Sequence, residues 1–506
     1  MNARDEQTRS LWMTVEVAPD APALTRDESA DAVVVGSGIA GLSSAYELQR
    51  QGLDVVVLDR GAIAEGITAR TSAHLTSMSD DSFETLIKAR GLDGARTFYA
   101  SHARAIDQIE RNQAEEKIEC NFRRVNGYLF PDANSTAKDL VPEYEATRRV
   151  GMPIERHKGV PFKGYGDTGC LLYPNQATFH PLRYLHGIAA ALTGRGARLY
   201  AHTTATEVAE RDGAVTVKAE NGRVVSAASA IIATNSPIND RVALHAKQAP
   251  YRTYVLVLTI PKDKIEDALY WDTLDPYHYV RLQPGPGSSD YLIVGGADHK
   301  TGEADDASVR FEALEAWIRA LLPDLGKITH RWSGQTLDPI DYAAFIGKNP
   351  GSDRIFVHTG DSGQGLTHGV LGSLLLSQLV TTGKSDWAAF YEPSRKTGSG
   401  VGNFISENIT AVKNFAEYVA PGELSSADEL KPGMGAIIRQ GLTKVAAYRG
   451  EDGKLIKRSA ACTHLGCHVH WNSLERCWDC PCHGSHFAVD GTALNAPAIA
   501  PLKAMD

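Results

Sequence analysis

The chain has 506 residues, 43% of them hydrophobic, which allows an ample core and, from length alone, about three domains. Its net charge of −9 is mild for this size and gives no case for nucleic-acid binding. Seven cysteines, most of them near the C-terminus, exclude a disulfide scaffold and point to the cytoplasm.

The segment through Arg26 is polar and acidic, with no basic stretch leading into an apolar run of signal length, and no transmembrane helix is evident along the chain. Ala32-Val33-Val34-Val35 then runs into Gly36-Ser37-Gly38-Ile39-Ala40-Gly41 and the helical Leu42–Leu48, and Val55-Val56-Val57-Leu58 follows, ending at Asp59 and Arg60. Strand, glycine turn, helix, second strand and acid in that order predict a dinucleotide fold. The glycines let the backbone approach a pyrophosphate at the helix N-terminus, and Asp59 would accept the ribose hydroxyls. This much does not separate FAD from NAD. Downstream, a charged helical stretch covers Ser101 to Lys117, and Tyr251–Val257 and Tyr277–Arg281 read as strands of a second domain. A linker rich in Ser and Gly begins near Tyr391 and ends near Ser426.

Near the C-terminus, Cys462-Thr463-His464 and Cys480-Pro481-Cys482-His483 supply Cys-x-His and Cys-x-x-His, a complete ligand set for a Rieske [2Fe-2S] cluster. Two imidazoles in place of two thiolates lift such a centre to roughly −150 to +300 mV. Zinc is the competing reading, since Cys477-x-x-Cys480 also has zinc-like spacing. An oxygenase would need a mononuclear iron with two histidines and a carboxylate, and no His-x4-His pair is present.

Two resemblances sharpen these readings. Gly66-Ile67-Thr68-Ala69-Arg70-Thr71-Ser72-Ala73-His74 resembles the flavin-contacting loop of the D-amino-acid oxidase and glycine oxidase superfamily. Ala230-Ile231-Ile232-Ala233-Thr234-Asn235 resembles its returning strand, with Glu207-Val208 at the adenine position, and Ile355 to Thr367 resembles the closing strand, turn and helix. The likeness spans roughly residues 28–390 and departs at Asp59, where the family commonly has Glu. It implies FAD, contacted by Gly36, Gly38, Ile39, Ala40, Gly41, Asp59, Arg60, Gly66, Thr68, Arg70, Thr71, Val208, Ala233, Thr234, Gly360, Asp361, Gly365, Leu366 and Thr367. It also implies hydride transfer from a carbon bearing an amine or hydroxyl, which needs positioning more than a strong acid or base. Candidate substrate residues are Arg252, Tyr277, Tyr279, Arg281, Gln335 and His180, an arginine being suited to clamp a carboxylate. The competing role for the arginines and tyrosines is a sheet surface or interface, and for His180 a helix cap.

The C-terminal motif resembles the Rieske proteins of cytochrome bc complexes, which implies Cys462 and Cys480 as thiolate ligands, His464 and His483 as imidazole ligands, and a Cys467–Cys482 disulfide. Ser485 stands where that family places a hydroxyl donor to a bridging sulfide, and Asn495-Ala496-Pro497 resembles its proline loop. Phe487 replaces a Tyr donor, a loss that lowers the potential by on the order of 100 mV. His468, His470 and His486 are expected as exposed polar loop residues, and Cys477 as a spare thiol, buried or a rival disulfide partner.

The expected architecture is a Rossmann-like α/β FAD-binding domain with an interleaved antiparallel-sheet (α+β) substrate domain, followed by an all-β Rieske domain. The boundaries are 1–390 for the flavoprotein part, 391–426 for the linker and 427–506 for the Rieske domain. Within the first, about 28–105, 165–235 and 330–390 would bind FAD, and about 106–164 and 236–329 would face substrate. No second Gly-x-Gly-x-x-Gly is present, so electrons are expected from an amine, amino acid or similar small molecule. They would leave singly through the cluster to a protein or quinone acceptor. The alternative is an electron-transfer protein or redox sensor without a metabolite of its own.

Overall fold

The computed structural model describes residues 6–239, 244–396 and 421–505. Most of the expected linker, 397–420, lies outside the described residues.

Strand Glu28–Val35 alternates in burial at its start and is then buried at four consecutive positions, as a strand entering the middle of a sheet covered on both faces must be. It pairs in parallel with Val55–Leu58 on one side and Val224–Ile232 on the other, and Ile355–Thr359 continues the sheet beyond. The helix Ile39–Arg50 leaves the glycine turn and packs on Gly365–Thr382, where Gly369 lets the helices approach: a Cβ there would sit 3.0 Å from Ala40 N.

A second sheet is built around Gln248–Pro261, which pairs along its length with Ser289–Lys300 and Ile328–Pro339. Val255 and Val257 face the core shared with the first sheet, while Tyr254, Leu256, Leu258 and Ile260 face the helix Ala307–Leu321. This is the alternation that a strand between two layers requires. The sheet also takes Cys170–Thr178 and Ile328–Pro339, both expected on the flavin side. Their buried residues suit either sheet, so pattern alone did not assign them. The predicted helix near Ser101 is the distal part of Phe83–Glu115, which is interrupted at Gly91.

The C-terminal part folds as Gly435–Gln440, Thr443–Arg449 and Leu455–Ser459 in one sheet, and as four short strands from His470–Asn472 to Ala493–Asn495 in another. The polar N-terminal segment is an interdomain strap. Trp12 is fully buried and donates to Thr71 O, Ser10 Oγ donates to Ala69 O, and Gln7 N donates to Glu475 O of the C-terminal domain. No helix among the described residues is long and apolar enough to cross a membrane.

Candidate functional site

Two cavities meet at Ile67 and Asn235 and together form a dinucleotide-sized trough. The first, about 640 Å³, has the glycine turn as its floor and is lined by Gly36, Gly38, Asp59, Arg60, Gly66, Ala233 and Thr234. A Cβ on Gly36 would collide with Ala233 O, and one on Gly38 would stand 3.1 Å from Thr68 Oγ1. Only bare backbone leaves this cradle open. Asp59 Oδ2 accepts from Ser37 N at 2.8 Å and Oδ1 from Gly61 N at 2.9 Å, which fixes the carboxylate at the trough wall with acceptor capacity to spare. The site therefore fits the nucleotide half of FAD.

Several expected contacts stand back from this wall. Ile39, Ala40 and Gly41 form the first helical turn behind it, where Ile39 N donates to Thr68 Oγ1 and Gly41 makes room for Gly36 O. Val208 sits on the hairpin strand Ala205–Arg211, and residues Thr203, Thr204 and Ala205 line the trough instead. Gly360 packs on Pro339 and Phe345, and Thr367 Oγ1 donates to Gln364 O.

The second cavity, open to solvent on one side, lies between the loop through Thr68, Arg70 and Thr71, the turn bearing Asp361, Gly365 and Leu366, and the second sheet. Trp271, Tyr277, Tyr279 and His74 give it aromatic walls, with His74 edge-on to Tyr279 at 5.3 Å. Tyr279 pairs its hydroxyl with Thr253 Oγ1 at 2.9 Å, and Tyr277 donates to Asp80 Oδ1 at 2.6 Å. Sequence reasoning missed Asp80, Asp298 and Asp338, which also line this chamber and have no motif to mark them. Burial, then the charge of Asp81, pushes Asp80 up to about 8 despite the Tyr277 hydrogen bond. Burial raises Asp298 to about 6, and burial with Asp81 and Asp80 nearby raises Asp338 well above its usual range. His74 is driven down to about 3 by burial and by Arg281, so it is neutral.

The expected substrate arginines are elsewhere. Arg252 is fully buried and pairs with Asp479 of the C-terminal domain at 2.9 Å while donating to Ser333 Oγ. Arg281 donates to the carbonyls of Ala73, Phe179 and Leu282 and to Gln283, outside the chamber lining. His180 caps the helix Pro181–Gly194, its Nδ1 accepting from Arg183 N. Arg70 lines the chamber, but its guanidinium meets Glu6 at 2.7 Å and Glu475 at 3.0 Å. Gln335 lines the chamber too, with its amide committed: Nε2 donates to Gly484 O at 3.0 Å and Oε1 accepts from Thr301 Oγ1.

The metal-ligand candidates converge from two loops of matching backbone. Gly466 N donates to Cys462 O and Gly484 N to Cys480 O, and both glycines have positive φ, 84° and 76°. Cys467–Cys482 forms the disulfide between the loops, Cα to Cα 6.5 Å. Cys462 and Cys480 are buried within hydrogen-bonding reach, the bond lowering the first thiol and raising the second. His464 and His483 lie 4.9 Å apart edge-to-face, and burial, with His245 and His464 close by, holds His483 neutral at about 3. Two thiols and two imidazoles in facing pairs fit a binuclear iron-sulfur centre. Ser485 Oγ accepts from Ala498 N, and Phe487 is fully buried beside the cysteines. Cys477 is a buried free thiol against Asp479, and His486 is an interface residue with Nδ1 3.0 Å from Glu6 Oε1.

The flavin-side partner of these imidazoles is His245, on the turn His245–Lys247, with its ring 4.8 Å from His464 and 5.7 Å from His483. Its Nδ1 lies 3.4 Å from Ser236 Oγ, beside the trough residue Asn235. The C-terminal domain returns the contact: Asn495 and Ala496 line the nucleotide trough, and Arg60 donates to Ala493 O and Ala498 O.

The sequence matches the family described as FAD dependent oxidoreductase over residues 31–379 and the Rieske [2Fe-2S] domain over residues 421–506. It is 31% identical to the putative Rieske 2Fe-2S iron-sulfur protein YhfW of Bacillus subtilis across 99% of this chain and 98% of that protein. It is 27% identical to gamma-glutamylputrescine oxidoreductase of Escherichia coli across 73% of this chain and 88% of that protein. The fold resembles glycine oxidase from Geobacillus kaustophilus with a TM-score of 0.60 at 18% identity, covering 73% of this chain and 99% of that one.

Proposed function

Because the chain belongs to the FAD dependent oxidoreductase family and carries a C-terminal Rieske [2Fe-2S] domain, we propose that it oxidises a small amine-class metabolite at a carbon–nitrogen bond and passes the electrons singly through the cluster to an external protein or quinone. FAD supplies the two-electron acceptor and the cluster the one-electron carrier. The chain's own residues hold and orient. The amides at the start of the helix Gly365–Thr382 offer a positive terminus to the flavin ring, and Trp271, Tyr277 and Tyr279 wall the substrate away from water. Cys462, Cys480, His464 and His483 would hold the cluster.

The observation that carries the reading is His245, a flavin-side residue packed edge-on against both candidate imidazole ligands. Gln335 adds a second bridge, from the chamber wall to the cluster loop at Gly484. Thr463 and Leu465, on the other cluster loop, are exposed and offer a face to the external acceptor. A chamber walled by Trp271, Tyr277 and Tyr279 favours a metabolite over the alternative of a protein electron donor. Cys120 and Cys170, buried as free thiols away from the cluster loops, support a cytoplasmic setting. The test is an anaerobic titration of the holoenzyme with amines, amino acids and hydroxy acids, following flavin bleaching optically and the cluster by electron paramagnetic resonance. An amine that bleaches the flavin and brings up the reduced-cluster signal supports the reading. A flavin reduced by dithionite but by no compound in the panel counts against it.

A further inference from the structure

The chamber beside the flavin site is lined by three half-buried carboxyl side chains, Asp80, Asp298 and Asp338, with no free cation among the described residues of the lining to match them. We propose that it is built for an amine carrying two positive charges and no carboxylate, a linear diamine or polyamine; this rests on the oxidoreductase reading above and names its substrate class.

Burying like charges together is unfavourable unless a counter-charge accompanies them. Here the described residues of the lining do not provide one. Arg70, the arginine in the lining, is engaged by Glu6 and Glu475, and His74 is neutral. Behind the wall, Arg310 is held by Asp306 at 2.6 Å and His278 by Asp272 at 2.7 Å. Asp361, also in the lining, is paired with His358 at 2.8 Å and is therefore compensated. Asp298 Oδ1 is a buried acceptor without a hydrogen-bond partner.

The rest of the wall suits an ammonium group as well. Trp271, Tyr277 and Tyr279 present aromatic rings, whose faces attract cations, and Thr253 and Thr336 add hydroxyls. An α-amino acid would bring its own carboxylate against three acidic side chains, with no free guanidinium among the described residues of the lining to receive it. For a diamine, oxidation balances at one end. The C–H hydrogen leaves with its electron pair to the flavin, and the ammonium loses one proton to a lining carboxylate. The resulting iminium adds water and releases ammonium and an aldehyde, while the second cationic end stays paired.

The experiment uses the holoenzyme under anaerobic conditions with four probes: 1,4-diaminobutane, its bis-trimethylammonium analogue, butylamine and L-alanine. Binding is read from the flavin visible spectrum and by calorimetry, and oxidation from flavin bleaching. Both dications should bind, with butylamine about tenfold weaker or more, since each lost charge-assisted contact is worth about that factor. Asp298→Asn and Asp338→Asn should each weaken the dications about tenfold, because each removes a carboxylate that would pair with an ammonium group. The proposal is overturned if L-alanine binds more tightly than the dications, or if both variants keep full dication affinity. Dications that bind without 1,4-diaminobutane bleaching the flavin would uphold the binding site while counting against the oxidoreductase reading. Bleaching by L-alanine with no dication binding would do the reverse.

Discussion

Arg252 and Asp479 are each buried, so removing either leaves the other's charge out of water and without its ion-pair partner. Arg252→Ala should cost about 3–5 kcal/mol in denaturant unfolding, the usual penalty for breaking a buried pair. Gly484 has less freedom still: its φ is +76°, and a Cβ would meet Gln335 Nε2 at 2.6 Å and Pro250 Cβ at 2.9 Å. Gly484→Ala is expected to cost about 1–3 kcal/mol and to lower iron content per chain. Glu6 gives the interface a pH dependence. Burial pushes its carboxyl up, but Arg70, His486 and Arg252 beside it prevail and hold it down at about 2 against an ordinary 4.5. A depressed carboxyl contributes stability that is fully present above its unfolded value and is lost as pH falls through the folded one. The melting-temperature gap between the protein and Glu6→Gln should therefore be full at pH 6 and close between pH 4.5 and 2.

The loop Asn495–Pro497, expected to cover the cluster, also walls the nucleotide trough through Asn495 and Ala496. Asn495 Nδ2 donates to Gly484 O at 3.0 Å, so one side chain ties the trough wall to the cluster loop. Asn495→Ala should weaken FAD binding by about three- to tenfold, read by flavin dissociation on dilution, as expected for one net hydrogen bond. The elements legible in the sequence were those whose chemistry fixes their spacing: the glycine turn at Gly36, and the paired loops ending at Gly466 and Gly484. What escaped was set by long-range packing. Cys170–Thr178 reads as a strand but carries nothing to choose between sheets, and the strap through Trp12 is hidden by its polar composition. His245 and the chamber aspartates belong to no motif. Arg252 and Arg281 have the right residue type for a carboxylate clamp, but Asp479 and a set of backbone carbonyls, all distant in sequence, take their donors.

At the scale of the molecule, the Rieske domain is docked rather than tethered. Arg60, Arg252, Gln335 and His245 meet it from the flavoprotein side, and Glu6 from the strap. Such an interface would make the proposed transfer between the two centres intramolecular, whereas a swinging or separate carrier would need an encounter for each electron. The decisive measurement is therefore the rate of cluster reduction after the flavin has been reduced by an amine substrate, followed by freeze-quench electron paramagnetic resonance over a wide range of enzyme concentration. The reduced-cluster signal is expected to follow flavin bleaching at a rate independent of enzyme concentration. A rate proportional to enzyme concentration, or a cluster that stays oxidised beside a fully bleached flavin, would contradict it.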